Sequence, residues 1–365
     1  MQTLSHADFE NVAKKLGEFM QYTQRLESGD SYLIVNRNSP ALTNAAVFAA
    51  ENYGLRVRTP FNLRAQKAYE HFPPSLLKLL REKTPKGGIS FFDYTKNPDW
   101  NLEERGARIE FLKGTIEQVP TRWGHSPGIT LDMAVNGPLQ CDYKKMAEQA
   151  ELMLEQLYNV KELHITAPGG TDIRIKIPKE VKFDTDCIIV KNIYGLPGKF
   201  GNLPIGEDWC EKSVDVEVLD KATGKKTIQS YPVRLMADGV LVCDVCVGGY
   251  DKRLEPSEFI KVKFKNGKIA SFECEQPALR HSYEVMLESE KRYGKPTVLQ
   301  EVGIGFNDKA RVTGNMLEDE KLGGTCHLAP GNIRVHEDML FDKPTIKVVY
   351  IDGSERVIME KGVAI

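Results

Sequence analysis

The chain has 365 residues, 41% hydrophobic and 27% charged, and its 49 basic and 51 acidic side chains leave a net charge of −2. That length lies above the ~250–300 residues at which one hydrophobic core stops growing, so two domains are expected. The near-neutral balance argues against nucleic acid or a membrane surface as an electrostatic partner, and no apolar run reaches the ~18 residues of a transmembrane helix.

The opening stretch, MQTLSHADFENVAKKLGEFMQYTQRLESGD, reads as an amphipathic helix. It lacks the basic segment and apolar core of a secretory leader, which makes the cytoplasm the expected compartment. SYLIV (31–35) is a strand candidate. SPALTNAAVFAAENYG is an Ala-rich helix opened by Ser39 and Pro40 and closed by Gly54, and LRVRT is a second strand. Together they predict a βαβ unit. The amphipathic RAQKAYEHFPPSLLKLLREK and the strand candidate GGISFFDY extend the pattern, so residues 1–150 are expected to form an open α/β domain with a largely parallel sheet. The first βα turn, VNRNSP, carries neither G-x-G-x-x-G nor a Walker Gly-Lys-Ser/Thr, which disfavours a nucleotide cofactor.

A long helix, CDYKKMAEQAELMLEQLYN (141–159), leads into a different texture. Pairs of β-rich runs split by Gly and Pro follow: VDVEVLD, GVLVCDVCVGGY, FIKVKFKNGKIASFEC and PTIKVVYIDGSERVIM. Residues 151–365 are therefore expected to be a mainly antiparallel, β-rich α+β domain with one clear helix over 278–294. PGGTD (168–172) reads as a turn between antiparallel strands, since no helix start follows it to cradle a phosphate. The seven cysteines are scattered and odd in number, which points to reduced, buried thiols. The lone C-x-x-C of Cys243 and Cys246 has no second pair to complete a zinc shell.

Candidate chemistry concentrates in the β-rich half. Glu207 follows a Pro/Gly turn in GNLPIGEDW, where a solvated carboxylate is the plain expectation. Glu301 interrupts the apolar TVLQEVGIGFN; it either lies on a wet strand face or requires a cation. TGNMLEDEKLGGTCHLAPGN places Glu318, Asp319 and Glu320 ahead of His327. In RVHEDMLF, His336 and Asp338 would share one face if the segment is a strand. Taken as a set, Glu207, Glu301, His327, His336 and Asp338 supply three carboxylates and two imidazoles. Two divalent ions would leave one positive charge, which a bridging hydroxide neutralises, so the set suits a two-metal hydrolytic site.

From RWGHSPGIT (122–130) to the C-terminus, through ITAPGGTDIRIKI, NLPIGE, EVGIGFN, GNMLEDEKLGGTCHLAPGN and HEDMLF, the chain resembles the aminopeptidase T family of metallopeptidases. The resemblance implies an α/β domain joined to a β-rich catalytic domain, a homodimer, and two divalent ions (Zn, Co or Mn) held by Glu207, Glu301, His327, His336 and Asp338. It implies release of N-terminal residues from peptides. For the general base the chain offers Glu301 or an acid of the Glu318–Glu320 run, Glu320 foremost. The sequence departs from the family pattern in two places. Arg334 stands where family peptidases carry a tyrosine, and the connection before His336 is short. Relatives on the same scaffold, similar to 2,5-dihydroxypyridine dioxygenases, open a ring with one Fe(II) and carry a histidine where this chain has Glu301. His327, His336 and Asp338 would suffice for such a triad. A non-catalytic, metal-stabilised protein is the third expectation.

Overall fold

This computed structural model describes residues 3–37, 39–62, 87–93, 121–190, 193–248, 250 and 252–365. It is an α+β protein whose chain divides into two compact units. One comprises Met1–Glu151, Thr185–Gly206 and Asn307–Arg311; the other comprises Leu152–Asp184, Glu207–Phe306 and Val312–Ile365. No helix among the described residues is long and apolar enough to cross a membrane.

In the first unit, helix His6–Glu18 starts where the Ser5 hydroxyl accepts the Asp8 amide at 3.1 Å, a side-chain cap on an otherwise orphaned donor. Strand Ser31–Arg37, helix Pro40–Asn52 and strand Arg56–Val57 form the expected βαβ unit, with Pro40 in the first helical turn, where its missing N–H costs nothing. The sheet runs Arg56–Val57, Ser31–Arg37, Gly87–Asp93, Thr121–Pro127, Lys199–Asn202, and every pairing is parallel. Tyr32, Leu33, Ile34 and Val35 are consecutive and all buried, as a parallel strand covered on both faces requires. The helix expected over RAQKAYEHFPPSLLKLLREK lies outside the described residues.

The units are not two consecutive blocks meeting at residue 150. Lys199–Asn202 returns to the edge of Thr121–Pro127, with Arg122 opposite Lys199. A four-residue strand carries no readable periodicity, so nothing in the sequence announces this return. Asn307, fully buried, fastens the other returning segment. Its amide donates to the carbonyls of Ile205 at 2.7 Å and Pro138 at 3.1 Å.

The second unit is built on a 14-stranded sheet whose described pairings are antiparallel. Val160–Thr166 and Asp172–Lys176 pair across the PGGTD turn, closed by Gly170 donating to the Ala167 carbonyl at 3.0 Å. Ile260–Lys265 and Lys268–Glu273 pair across Asn266 and Gly267, whose φ values of 51° and 71° suit the Asn-Gly hairpin turn. Ser213–Leu219 and Lys226–Pro232 form a separate two-stranded sheet. The expected helix spans Pro277–Tyr293 and ends at Gly294 with φ 65°. All seven cysteines are buried; the Cys243 thiol donates to the Cys246 carbonyl at 3.0 Å, and burial pushes both thiol pKa values up.

Replacing Asn307 with Ala removes one amide and strands two buried carbonyls. The unfolding free energy is expected to fall by ~2 kcal/mol, read from the urea midpoint with an unchanged m-value.

Candidate metal centre

Three neighbouring strands, Glu207–Glu211, Val298–Gly305 and Thr325–Gly331, carry most of the candidate donors. The first pairing sets Glu207 opposite Gly305, Trp209 opposite Gly303 and Glu211 opposite Glu301. The second sets His327 opposite Gly303. Because side chains alternate along a strand, Glu207, Glu211, Glu301 and His327 share one face. Gly303 lies at the centre of that face. A Cβ built on it collides with the His327 ring and comes within 2.6 Å of Glu207 Oε1, so the glycine makes the space into which these donors converge.

A β-bulge sets the depth of the site. Leu299 pairs with Pro330 and Glu301 with Ala329, leaving Gln300 as the extra residue on its strand. Bulges re-aim side chains. Here the Gln300 amide meets His336 Nδ1 while the adjacent Glu301 faces His336 Nε2 at 3.4 Å. The segment 334–338 is not the strand its alternation suggests. His336 is held by a single bridge to Gly331, and the next strand begins at Met339. The reason is local: the Asn332 amide donates to the Val335 carbonyl at 2.9 Å, which folds the chain into a tight turn where a strand would need it extended. His336 and Asp338 still meet, with Nε2 and Oδ1 2.9 Å apart.

The geometry is that of two overlapping donor groups. Glu207, Glu301 and His327 place ligand atoms within 4.8 Å of one another, and so do Glu211, Glu301 and His336. Glu301 belongs to both, with Oε1 3.2 Å from His327 Nε2 and Oε2 on the His336 side. Glu207 Oε1 lies 3.1 Å from His327 Nε2, and Asp338 Oδ1 lies 4.0 Å from the same nitrogen. All five residues singled out in the sequence are thus brought together. Glu207, Glu301, His327 and Asp338 are at most 7% exposed.

The acidic run divides by function. Asp319 is structural: its carboxylate accepts the amides of Thr313 at 2.7 Å and Gly314 at 2.9 Å. Glu320 turns to the site through Lys321, whose ammonium lies 2.8 Å from Glu320 Oε1 and pairs with Glu207. Lys321 and Glu211 were not legible as site residues. Glu211 could have been found from its spacing, since Glu207 and Glu211 are four apart and face the same way on a strand. Lys321 looks like the tail of a solvated charge run, yet it is fully buried.

Burial alone would discharge these groups, and their neighbours decide the outcome. For Glu207, burial works against the carboxylate, but Lys321 and His327 override it and hold the pKa down to about 2. Burial lowers His336, but Asp338 and Glu301 more than offset this and push it up to about 10. His327 is likewise raised well above its ordinary range, chiefly by Glu207 against the pull of burial. Glu320 is pushed up to about 8, by burial first; Lys321 opposes that, and the Glu207 and Asp338 carboxylates reinforce it. Without metal, the two imidazoles are therefore drawn toward their cationic forms and join Lys321 in offsetting an over-acidic cluster. Mixed imidazole and carboxylate donors around a space kept open by a glycine fit divalent ions of the Zn, Co, Mn or Fe type.

No protein-family model matches the sequence, and no curated protein is similar to it by sequence. Solved structures are similar in fold. Wild-type AmpT from Thermus thermophilus superposes with a TM-score of 0.61 at 15% identity, covering 97% of this chain and 99% of that one. The 2,5-dihydroxypyridine dioxygenase from Pseudomonas putida superposes with a TM-score of 0.63 at 15% identity, covering 99% of this chain and 98% of that one. At this identity the likeness is one of fold.

Two outcomes test the centre. Because both imidazoles are raised in the metal-free protein, a metal must displace their protons at neutral pH. Binding is therefore expected to tighten as pH rises from 7 toward 10, and titration calorimetry in buffers of different ionisation enthalpy should register proton release. Replacing Gly303 with Ala is expected to weaken metal binding ~10–100-fold while the far-ultraviolet circular dichroism stays that of the parent.

Proposed function

We propose that the second unit is the catalytic body of a metal-dependent hydrolase, most closely an aminopeptidase that releases N-terminal residues from peptides with two divalent ions. The observation that carries this reading is the pair of donor groups sharing Glu301. A carboxylate whose two oxygens face two imidazoles is suited to bridge two ions, whereas a histidine in its place would not be. An aminopeptidase is among the proteins of similar fold, which adds support of a coarser kind.

Two ions held there would acidify a bridging water and polarise a scissile carbonyl. Glu207 and His327 would hold one ion, Glu211 and His336 the other, with Glu301 between them and Asp338 beside both imidazoles. Glu301, shared by both groups, would serve as a ligand and leave proton transfer to Glu320. Burial raises this carboxyl in the metal-free protein, and two dications nearby would favour its ionised form, which would take a proton from water and return it to the leaving amine.

A second reading has its own observation. His336, Asp338 and His327 alone make a two-histidine, one-carboxylate set, the donor type of mononuclear iron oxygenases, and a dioxygenase shares the fold. Metal analysis of protein purified without chelator separates the two. The hydrolase requires about two equivalents of zinc, cobalt or manganese per chain and anaerobic release of amino acid from aminoacyl anilides. One equivalent of iron with oxygen uptake would displace it in favour of ring cleavage. Replacing His336 with Ala is expected to lower metal affinity and turnover at least ~100-fold; retained turnover at unchanged metal content would sink the assignment.

A further inference from the structure

Glu207 divides its two carboxylate oxygens between different partners. Oε1 lies 3.1 Å from His327 Nε2, on the side of the Glu301 and His327 donors. Oε2 is ion-paired with Lys321 Nζ. The ammonium is fully buried, and a lysine is rarely tolerated there unless carboxylates replace its lost hydration. Two do so, Glu207 and Glu320.

The lysine is also fixed from its backbone. It follows the short helix Met316–Asp319, with its own amide donating to the Glu318 carbonyl at 3.1 Å. A Cβ on Gly305 would come within 3.1 Å of the Lys321 carbonyl carbon, so the Val298–Gly305 strand lies directly against this turn. The side chain therefore reaches Glu207 from a rigid base.

A carboxylate with both oxygens available can chelate an ion and fill two positions of its shell. One oxygen engaged by an ammonium leaves a single donor. Catalytic metal sites differ from structural ones in keeping a position open. We propose that Lys321 is a positioning residue that restricts Glu207 to one oxygen toward the metal and so keeps a coordination position open for water or substrate. This rests on the metal-centre reading, and it assigns the lysine a role that charge neutralisation alone would not require.

The test uses the full-length protein loaded with cobalt, whose visible absorption weakens as coordination number rises. K321M should bind as many cobalt equivalents as the parent but with a weaker visible band, and it should lose the spectral response to added acetohydroxamate. K321R, which keeps a cation on Glu207, should retain the parent's band and response. A K321M protein with the parent's spectrum and hydroxamate response overturns the assignment. So does a K321M chain that fails to fold in the presence of cobalt, and so does a K321R protein that behaves like K321M, since both would make the lysine a packing residue. A wild-type protein that takes up no cobalt overturns the metal centre itself and this assignment with it.

Discussion

Carboxylates gathered on a nearly dry sheet face set the terms for the rest of the second unit. Glu207, Glu211, Glu301, Glu320 and Asp338 form one connected group through two imidazoles and one ammonium. Like charges at such spacing repel strongly once water is excluded. With every carboxyl ionised, five negative charges against the single positive charge of Lys321 leave four, the charge of two divalent cations. In their absence Asp338 and Glu301 push His336 toward its protonated form against burial, while burial first, and the Glu207 and Asp338 carboxylates after it, push Glu320 the same way.

The sheet makes this concentration of charge possible by being stiff and by having gaps. Adjacent antiparallel strands fix Glu211 against Glu301 and His327 against Gly303. The missing side chain at Gly303 supplies the room. The bulge at Gln300 supplies a second adjustment, letting neighbouring residues of one strand both address His336. Fixed strands, one vacancy and one extra residue are enough to collect donors that stand far apart in sequence.

Local signals were the legible ones. The βαβ start, the Asn266–Gly267 hairpin and the Pro277–Tyr293 helix follow from periodicity and turn chemistry within a few residues of each element. Glu207, Glu301, His327, His336 and Asp338 drew notice as a set of donor types in the β-rich half, and the structure brings them within a few ångströms of one another. What the sequence hid depends on pairing across long separations. Glu211 matters because of the residue opposite it, and Lys321 because of where its ammonium is buried. RVHEDMLF misleads by its alternation, since a turn closed between Asn332 and Val335 sets the backbone there.

The interleaving of the two units constrains how the protein can be made. Synthesis proceeds from the N-terminus, and a domain whose residues are contiguous can fold as soon as it emerges. This first unit lacks its edge strand until Lys199–Asn202 appears, and it lacks the amide that holds Ile205 and Pro138 until residue 307 appears. By then more than 100 residues of the second unit, Glu207–Phe306 together with Leu152–Asp184, have already left the ribosome. The first unit thus waits for a segment that follows most of the second, the second is itself complete only at Ile365, and a nascent chain halted before residue 307 carries an incomplete first unit however long it is given to fold.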